Sequence, residues 1–159
     1  MGFWDEIESL FDGQKNSDDI DWQNPLCKIT NHFRVEEALY LHKWGRLANE
    51  NDGLTDGIKQ NLVSVFTKME IVRAFIDAPI RVSSCYRPGR YNWLLGGTAH
   101  SAHIYGMAVD WYVKGVNCNR LRAKIVPMLA MWEMRCENEC GNWIHLDIRN
   151  FGRNRYFKP

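Results

Sequence analysis

Two short segments place polar side chains inside otherwise apolar runs, and they constrain the fold more than any other feature of the chain. Residues 107–113 form a β-branched and aromatic run typical of a strand, with Asp110 at its centre. Residues 143–148 alternate apolar and polar side chains, which also predicts a strand, and the polar face carries His145. An aspartate inside an apolar strand is costly unless it is paired or bound to a metal. If the two strands are neighbours, Asp110 and His145 point to a common spot.

A third candidate ligand, His103, precedes the first of these strands. Gly106 lies between them and permits a bend that brings the imidazole to the same spot. Taken singly, each residue has a plain structural interpretation, since a strand histidine is usually a surface or hydrogen-bonded residue and Asp110 could pair with an arginine. Together, two imidazoles and one carboxylate are a donor set of catalytic zinc, which keeps a fourth position open for water. The sequence therefore predicts a zinc site formed by His103, Asp110 and His145.

The order of these residues resembles the M15 family of zinc peptidases, the D-Ala-D-Ala carboxypeptidases and peptidoglycan endopeptidases. The resemblance rests on Ser-x-His-x-x-Gly-x-Ala-x-Asp (101–110) and Trp-Ile-His-x-Asp (143–147), with Ser-Ser-Cys-Tyr-Arg-Pro (83–88) and Gly-Gly (96–97) upstream. It covers residues 32–148 and is closest to the small phage-type endolysin domains. Cys85 stands where the family usually has glycine.

The resemblance implies a fold, a cofactor and a ligand set. The expected fold is α+β, with a small antiparallel sheet that carries a zinc site and is flanked by helices, as in hedgehog and DD-peptidase domains. His103, Asp110 and His145 are the implied zinc ligands.

The resemblance also implies roles for residues around the metal. Arg87, from the family's Tyr-Arg pair, is expected to bind a carboxylate or carbonyl of the substrate, and a structural ion pair is its plain alternative. Ser101 is expected to orient the site or to contact the peptide, and Tyr86 to belong to the substrate-binding set. His100 is interpreted as a loop residue, because the motif already supplies three ligands.

The identity of the general base stays open. Much of the family has an acidic residue three positions before the second zinc histidine, but here that position is Asn142, which cannot take a proton from water. Three carboxylates remain as candidates. Glu137 ends the strand that precedes the hairpin loop, Glu139 lies in that loop, and Asp147 shares the face of His145, where it equally suits orienting a ligand. Glu137 is favoured, followed by Glu139.

Helical periodicity is clearest in two segments. Residues 58–76 carry an apolar stripe with Thr55 as a plausible N-cap, and Pro79 disfavours continuation of the helix. Residues 119–132 form a second amphipathic pattern that Pro127 is expected to kink. Both stripes are interpreted as core.

Strand patterns complete the predicted domain. Residues 80–84 read as a short strand, and residues 134–137 and 143–148 as the two arms of a hairpin. Residues 149–159 are basic and aromatic and are expected to form a solvated edge.

The N-terminal 24 residues are expected to differ from the domain formed by residues 25–159. An amphipathic piece comes first, followed by a polar and acidic stretch that reads as a linker. The apolar positions of the amphipathic piece are Phe3, Trp4, Ile7, Leu10 and Phe11. This piece either packs on the main domain or docks to a partner protein, a virion or a membrane surface, although its acidic polar face argues against an anionic membrane.

Composition excludes several classes of protein. The 159 residues suit one domain with a single core, and 45% hydrophobic content with seven Trp indicates a folded protein. A formal net charge of +1 gives no global attraction to nucleic acid. We expect no transmembrane segment and no secretory signal. The odd number of cysteines, five, favours reduced thiols, and Cys136 and Cys140 lack the second cysteine pair of a structural metal site.

These features predict a zinc-dependent peptidoglycan peptidase, either an endolysin-type enzyme that cleaves stem-peptide or cross-link bonds or a D-Ala-D-Ala carboxypeptidase. The expected setting is a bacteriophage enzyme that is made in the host cytoplasm and reaches the cell wall through a holin or the virion. The alternative is a non-catalytic, zinc-stabilised module that binds the cell wall or virion on the same fold, with Asn142 as its main support. A weaker third interpretation is a virion structural protein that docks through its N-terminal helix.

Overall fold

A computed structural model describes residues 2, 5, 7, 9, 15–139, 141–150, 152 and 154–158. The fold is mixed α+β, as predicted, with a five-stranded sheet and a separate two-stranded ribbon. The α-helices are α1 (Val35–Leu39), α2 (Asp56–Ile76), α3 (Gly89–Leu94), α4 (Cys118–Ile125) and α5 (Leu129–Trp132). The strands are β1 (Tyr40–Leu41), β2 (Arg46–Leu47), β3 (Arg81–Ser84), β4 (Ala108–Tyr112), β5 (Arg135–Glu137), β6 (Ile144–Asp147) and β7 (Tyr156–Phe157). The 3₁₀ helices are Ser17–Asp19, Glu50–Asp52, Ala102–Tyr105 and Val126–Met128.

The main sheet has the order β3-β4-β6-β5-β7 and is antiparallel except for the parallel pair β5 and β7. The two strands whose pairing the proposed metal site requires, β4 and β6, are hydrogen-bonded to each other. Their register sets Asp110 opposite His145 and Ala108 opposite Asp147. Residues directly opposite each other on paired strands project from the same face of the sheet, so Asp110 and His145 share one face.

The opposite face of the same strands belongs to the hydrophobic core. Val109, Trp111, Ile144 and Leu146 are each 0% exposed and join one apolar cluster with the stripe of helix α2. The pleat of β4 and β6 therefore separates a dry apolar face from a polar face that carries the candidate ligands.

Helix α2 confirms the clearest prediction from periodicity. The Thr55 hydroxyl accepts a hydrogen bond from the Ile58 amide at 3.3 Å, so Thr55 is the N-cap. The helix ends at Ile76, and Asp77 takes a left-handed conformation with φ of 56° before Pro79.

The second predicted helix is interrupted by a 3₁₀ turn, whereas the sequence predicted only a kink. Helix α4 ends at Ile125, Val126–Met128 form a 3₁₀ turn, and α5 continues from Leu129. Pro127 has no amide hydrogen and its ring crowds the preceding turn, which explains the local change of helix type.

The C-terminal tail forms the outer edge of the main sheet, and its described residues are exposed or half-buried, as the predicted solvated edge requires. Tyr156 and Phe157 form strand β7, which pairs with β5. The backbone amide of Cys136 donates a hydrogen bond to Arg155 O at 2.7 Å, and the amide of Asn138 donates one to Phe157 O at 2.8 Å. Strand β5 would otherwise present unpaired backbone groups, and β7 covers them. Tyr156 keeps the predicted exposure, at 41%.

The described part of the N-terminal segment lies against the domain. Ser17 and Ile20 are buried, and so is Ile7. The other apolar residues of the amphipathic piece, Phe3, Trp4, Leu10 and Phe11, lie outside the described residues. The boundary at residue 24 stays a prediction, as does a docking role for this segment.

Two further expectations concern the cysteines and the membrane. The cysteines within the described ranges are free, namely Cys27, Cys85, Cys118 and Cys136, whereas Cys140 lies outside those ranges. Among the described helices, none combines the length and the apolar character that crossing a bilayer requires.

Candidate metal centre

The three predicted ligands meet on the polar face of the sheet. Asp110 Oδ1 lies 3.1 Å from His103 Nε2 and 2.9 Å from His145 Nδ1. One potential ligand atom from each residue lies within 4.8 Å of the other two, and all three side chains are buried. The residues come from a 3₁₀ helix, β4 and β6, so the cluster exists only once these three elements have assembled.

His103 is held from two sides. Ser101 caps the 3₁₀ helix Ala102–Tyr105, and its hydroxyl accepts from the His103 amide at 3.3 Å. The ring Nδ1 lies 2.6 Å from the carbonyl oxygen of Cys85. A carbonyl only accepts, so Nδ1 carries the proton, and in a neutral ring Nε2 presents its lone pair to Asp110.

Two glycines allow this local geometry. Gly106 ends the 3₁₀ helix with φ of 66°, and a Cβ there would lie 2.9 Å from Ile58 Cγ2 and 3.0 Å from Ile58 O. Gly97 lies against Asn92, whose side chain would collide with a Cβ and whose Nδ2 donates to Thr98 O at 2.9 Å. These close approaches explain why a Gly-Gly segment and the motif glycine precede strand β4.

Asp147 is fully buried and saturated with partners. Its Oδ1 accepts from Arg135 Nε at 2.9 Å and from the Arg149 amide at 3.0 Å, and its Oδ2 accepts from Arg135 Nη2 at 2.8 Å. His145 Nε2 lies 3.5 Å from Oδ2, a distance that suits charge attraction better than a hydrogen bond. Burial raises the pKa of Asp147, but the Arg135 hydrogen bonds outweigh it and hold that pKa well below its usual range. These contacts support an orienting role toward His145 rather than proton acceptance.

Glu137 faces the metal cluster, as the hairpin pattern predicts. Arg135 lies opposite Asp147, and alternation along β5 puts Glu137 on the same face as Arg135, where its charge acts on His145. Glu137 is half-buried, whereas Glu139 and Asn142 are exposed near the hairpin loop. The assignment of the base to one of the three carboxylates stays a prediction, and the effect of Glu137 on His145 supports Glu137.

Arg87 forms the ion pair that the sequence left as its alternative role. Its Nη2 contacts Asp110 Oδ2 very closely, and its Nε donates to Ser84 Oγ at 2.7 Å. Nη1 has no hydrogen bond within the described part of the chain, so a peptide oxygen can still be bound there. A cavity of about 320 Å³ reaches the same edge of the sheet through Ser84.

The other three residues considered in the sequence analysis, Tyr86, Ser101 and His100, differ in burial and in hydrogen-bond partners. Tyr86 is only 3% exposed, and its hydroxyl donates to Asp52 O at 3.2 Å, which disfavours direct contact with a peptide. Ser101 contacts the His103 amide, as its orienting role requires. His100 is exposed, and its carbonyl accepts from Arg149 Nη1 at 2.8 Å, in keeping with a loop residue.

Sequence reasoning missed three groups that fix the site: the guanidinium groups of Arg135 and Arg149, which bind Asp147, and the backbone carbonyl of Cys85, which contacts His103. Arg135 lies two residues before Glu137, so strand alternation would have placed it on the polar face. A backbone carbonyl has no sequence signal at all.

The electrostatics of the cluster centre on Asp110. Burial raises the pKa of Asp110, but the charge and hydrogen bond of His103 and the hydrogen bond of His145 hold it far below its usual range. Burial lowers the pKa of His103 despite its contact with Asp110. For His145, burial is outweighed by the hydrogen bond to Asp110 and by the nearby carboxylates of Asp147 and Glu137, which together raise the pKa to about 9.

The cluster fits a zinc ion. Metal–ligand bonds of about 2.0–2.1 Å in a tetrahedron put neighbouring ligand atoms about 3.3 Å apart, close to the observed 2.9 and 3.1 Å. With His103 neutral and Nδ1 protonated, the lone pair of Nε2 faces the Asp110 carboxylate, and a metal ion or a proton can bridge these two atoms. The roles of the three residues as ligands stay a prediction that this geometry supports.

Comparisons with known proteins place the chain in a family. No curated protein matches the sequence. The family model described as Peptidase M15 matches residues 41–147, which is more than half of the chain and includes all three cluster residues. This match confirms the resemblance carried by the motifs. The chain therefore belongs to the M15 family of metallopeptidases.

Proposed function

We propose that this protein is a zinc-dependent peptidase that hydrolyses peptide bonds in bacterial peptidoglycan. The observation that carries the proposal is the buried cluster of His103, Asp110 and His145 within a domain that matches the M15 model. The small antiparallel sheet that holds the cluster is compatible with a hedgehog- or DD-peptidase-like fold.

His103, Asp110 and His145 would hold the zinc ion, which supplies a Lewis acid for the scissile carbonyl and acidifies the attacking water. Glu137 accepts the proton of that water, because its carboxylate lies on the same face of the sheet as His145. Arg87 directs Nη1 to a carbonyl or carboxylate of the peptide while Nη2 holds Asp110.

The neighbouring residues keep these groups in place. Asp147, fixed by Arg135, orients the imidazole of His145. The Cys85 carbonyl selects the tautomer of His103. Burial raises the pKa of the Cys85 thiol, so this cysteine stays protonated and does not compete as a ligand.

The bond that is cut is a stem-peptide bond, a cross-link bond or the D-Ala-D-Ala terminus. These activities share a metal site and differ in the groove that receives the substrate. An endolysin setting is part of the proposal, with delivery to the cell wall through a holin or the virion and with the N-terminal segment as the candidate docking element.

Mass spectrometry of purified peptidoglycan after incubation with the protein tests the proposal. Fragments that appear with the protein, vanish with a chelator and return with added zinc are the expected result, and their masses identify the bond. Intact muropeptides from several wall types, treated with folded and zinc-loaded protein, would reject it.

A non-catalytic binding module is the second candidate, because Asn142 replaces the usual acid of the family. This module would also bind zinc, so metal content does not separate the two functions, whereas turnover does. Glu137, on the face of β5 from which its charge acts on His145, favours the enzyme, since it provides a carboxylate that the sequence motif lacks.

A further inference from the structure

A second cavity, of about 710 Å³, lies along helix α3. Helix α3 forms one wall, and the β1–β2 ribbon with the following 3₁₀ helix forms the other. Pro88 lines the cavity and directly follows Arg87, whose guanidinium contacts Asp110. We call this cavity the α3 groove.

One wall of the α3 groove is rigid. The edge of Tyr91 packs on the Trp44 indole at a centroid distance of 5.0 Å, and the Arg46 guanidinium lies 5.2 Å from the same ring. Arg46 is itself fixed by two hydrogen bonds to Asp52, at 2.6 and 2.8 Å. Trp44 is therefore held in one orientation before any ligand arrives.

The opposite wall presents groups without partners. The Trp93 side chain is 79% exposed, and the next residue, Leu94, is 45% exposed. Arg90 precedes Trp93 by three residues in α3, so both project from one side of the helix. Arg90 is exposed and forms no hydrogen bond or ion pair within the described residues.

We propose that the α3 groove binds the glycan strand of peptidoglycan next to the peptide cleavage site, an inference that rests on the proposed function. A pyranose ring has an apolar C–H face, which the electron-rich face of Trp93 can receive, and a polar edge of hydroxyl and N-acetyl groups. Arg90 and the Asn51 side chain supply hydrogen-bond partners for that edge.

Charge and size support a neutral saccharide over other ligands. Asp52 neutralises Arg46, so among the described residues that line the groove Arg90 is the one cation without a carboxylate partner, which is too little for a polyanion. A volume of about 710 Å³ falls within the range of small-molecule sites and accommodates a short oligosaccharide.

The test measures the binding of chitotetraose, a peptide-free oligomer of N-acetylglucosamine, to the full chain by NMR of the indole N–H groups. The Trp93 signal of the wild type is expected to shift in a saturable way. Trp93→Ala should weaken binding by at least about tenfold, as expected for an aromatic anchor, and Arg90→Ala should weaken it less. The matched control Trp143→Ala removes another exposed indole, 42% exposed, that does not line the groove, and should bind like the wild type.

Equal affinity of the wild type and Trp93→Ala, or shifts confined to other indoles, would overturn the proposal. So would displacement of the oligosaccharide from Trp93 by a stem peptide at lower concentration. Circular dichroism verifies that each variant is folded. Because binding is measured with chelator present and without turnover, the two proposals fail separately: hydrolysis without glycan binding rejects only the groove, and glycan binding without hydrolysis rejects only the peptidase.

Discussion

At the scale of single residues, the partners of a carboxylate decide its chemistry. Asp147 and Glu137 are both acidic, and both lie on the polar face of the sheet near His145. Asp147 is 0% exposed and fixed by the Arg135 guanidinium, so its lone pairs are committed. Glu137 is half-buried at the end of its strand, and its charge acts on His145.

Replacement of Glu137 by Gln should reduce hydrolysis of peptidoglycan by about 10²–10⁴-fold, because the amide cannot accept a proton. Zinc content, measured by elemental mass spectrometry, should stay at the wild-type level, since Glu137 is not a ligand. Glu139→Gln is the matched control two residues away in the exposed loop. A loss of activity in Glu139→Gln with normal turnover in Glu137→Gln would reassign the base.

At the scale of elements, the candidate site depends on how closely the 3₁₀ helix Ala102–Tyr105 approaches helix α2. The contact point is Gly106, where backbone and side chain of Ile58 occupy the space of a Cβ. The Asn61 side chain adds a hydrogen bond to the Tyr105 carbonyl at 2.9 Å. His103 therefore takes its position from α2, an element that contributes no ligand.

Gly106→Ala should destabilise the protein and weaken zinc binding. The left-handed conformation costs about 1–2 kcal/mol for alanine, and overpacking against Ile58 adds about 1–3 kcal/mol. Gly45→Ala is the matched control, because Gly45 has nearly the same φ, 65°, but no atom within 4 Å of the added Cβ. Urea unfolding and zinc titration are measured for both variants. Gly45→Ala reports the backbone strain alone, and Gly106→Ala reports the same strain plus the steric contact with Ile58. Equal effects in the two variants would show that the approach to α2 does not set the site.

Helix α2 also anchors the chain that precedes the matched domain. Glu70 is 3% exposed, and its carboxylate accepts from the Thr30 hydroxyl at 2.7 Å and the His32 amide at 2.8 Å. Its second oxygen lies 2.7 Å from His32 Nδ1. One buried carboxylate thus organises a loop that has little regular structure of its own.

Glu70→Ala should lower the free energy of unfolding by about 2–4 kcal/mol, because it leaves buried donors without an acceptor. Glu36→Ala removes an exposed carboxylate from α1 and should change stability by no more than about 0.5 kcal/mol. Urea denaturation at a fixed zinc concentration provides the comparison. A Glu70 variant as stable as the Glu36 variant would contradict the anchoring role.

At the scale of the whole molecule, the metal cluster joins segments that are far apart in the chain. His103, Asp110 and His145 come from three elements, and the unfolded chain does not hold them together. A metal that binds only the folded state stabilises it in proportion to the logarithm of its concentration. Zinc is therefore expected to act as a structural link as well as a catalytic group.

Zinc at about a hundredfold excess over its dissociation constant should add about 2.7 kcal/mol, which raises Tm by roughly 5–10 °C in a domain of this size. Differential scanning calorimetry with chelator, with zinc and with magnesium measures the effect, and magnesium should give little change because it prefers oxygen ligands. His145→Ala should abolish the gain. A Tm that rises equally with zinc in His145→Ala would place the metal elsewhere.

The sequence by itself determined the local features of this protein. Strand alternation fixed which residues of β4 and β6 share a face, Thr55 fixed the start of α2, and the motif residues indicated the donor types and the M15 family. These features depend on neighbours along the chain, so a pattern can express them.

The tertiary structure decided which partner each polar group receives. It assigned Arg135 to Asp147, Arg87 to Asp110 and the Cys85 carbonyl to His103, and it added strand β7 beside β5. It also brought the charge of Glu137 near His145, although the motif position of the acid holds asparagine. Such pairings join residues that the chain separates, and they depend on distances that exist only after the sheet has assembled, so no local pattern carries them.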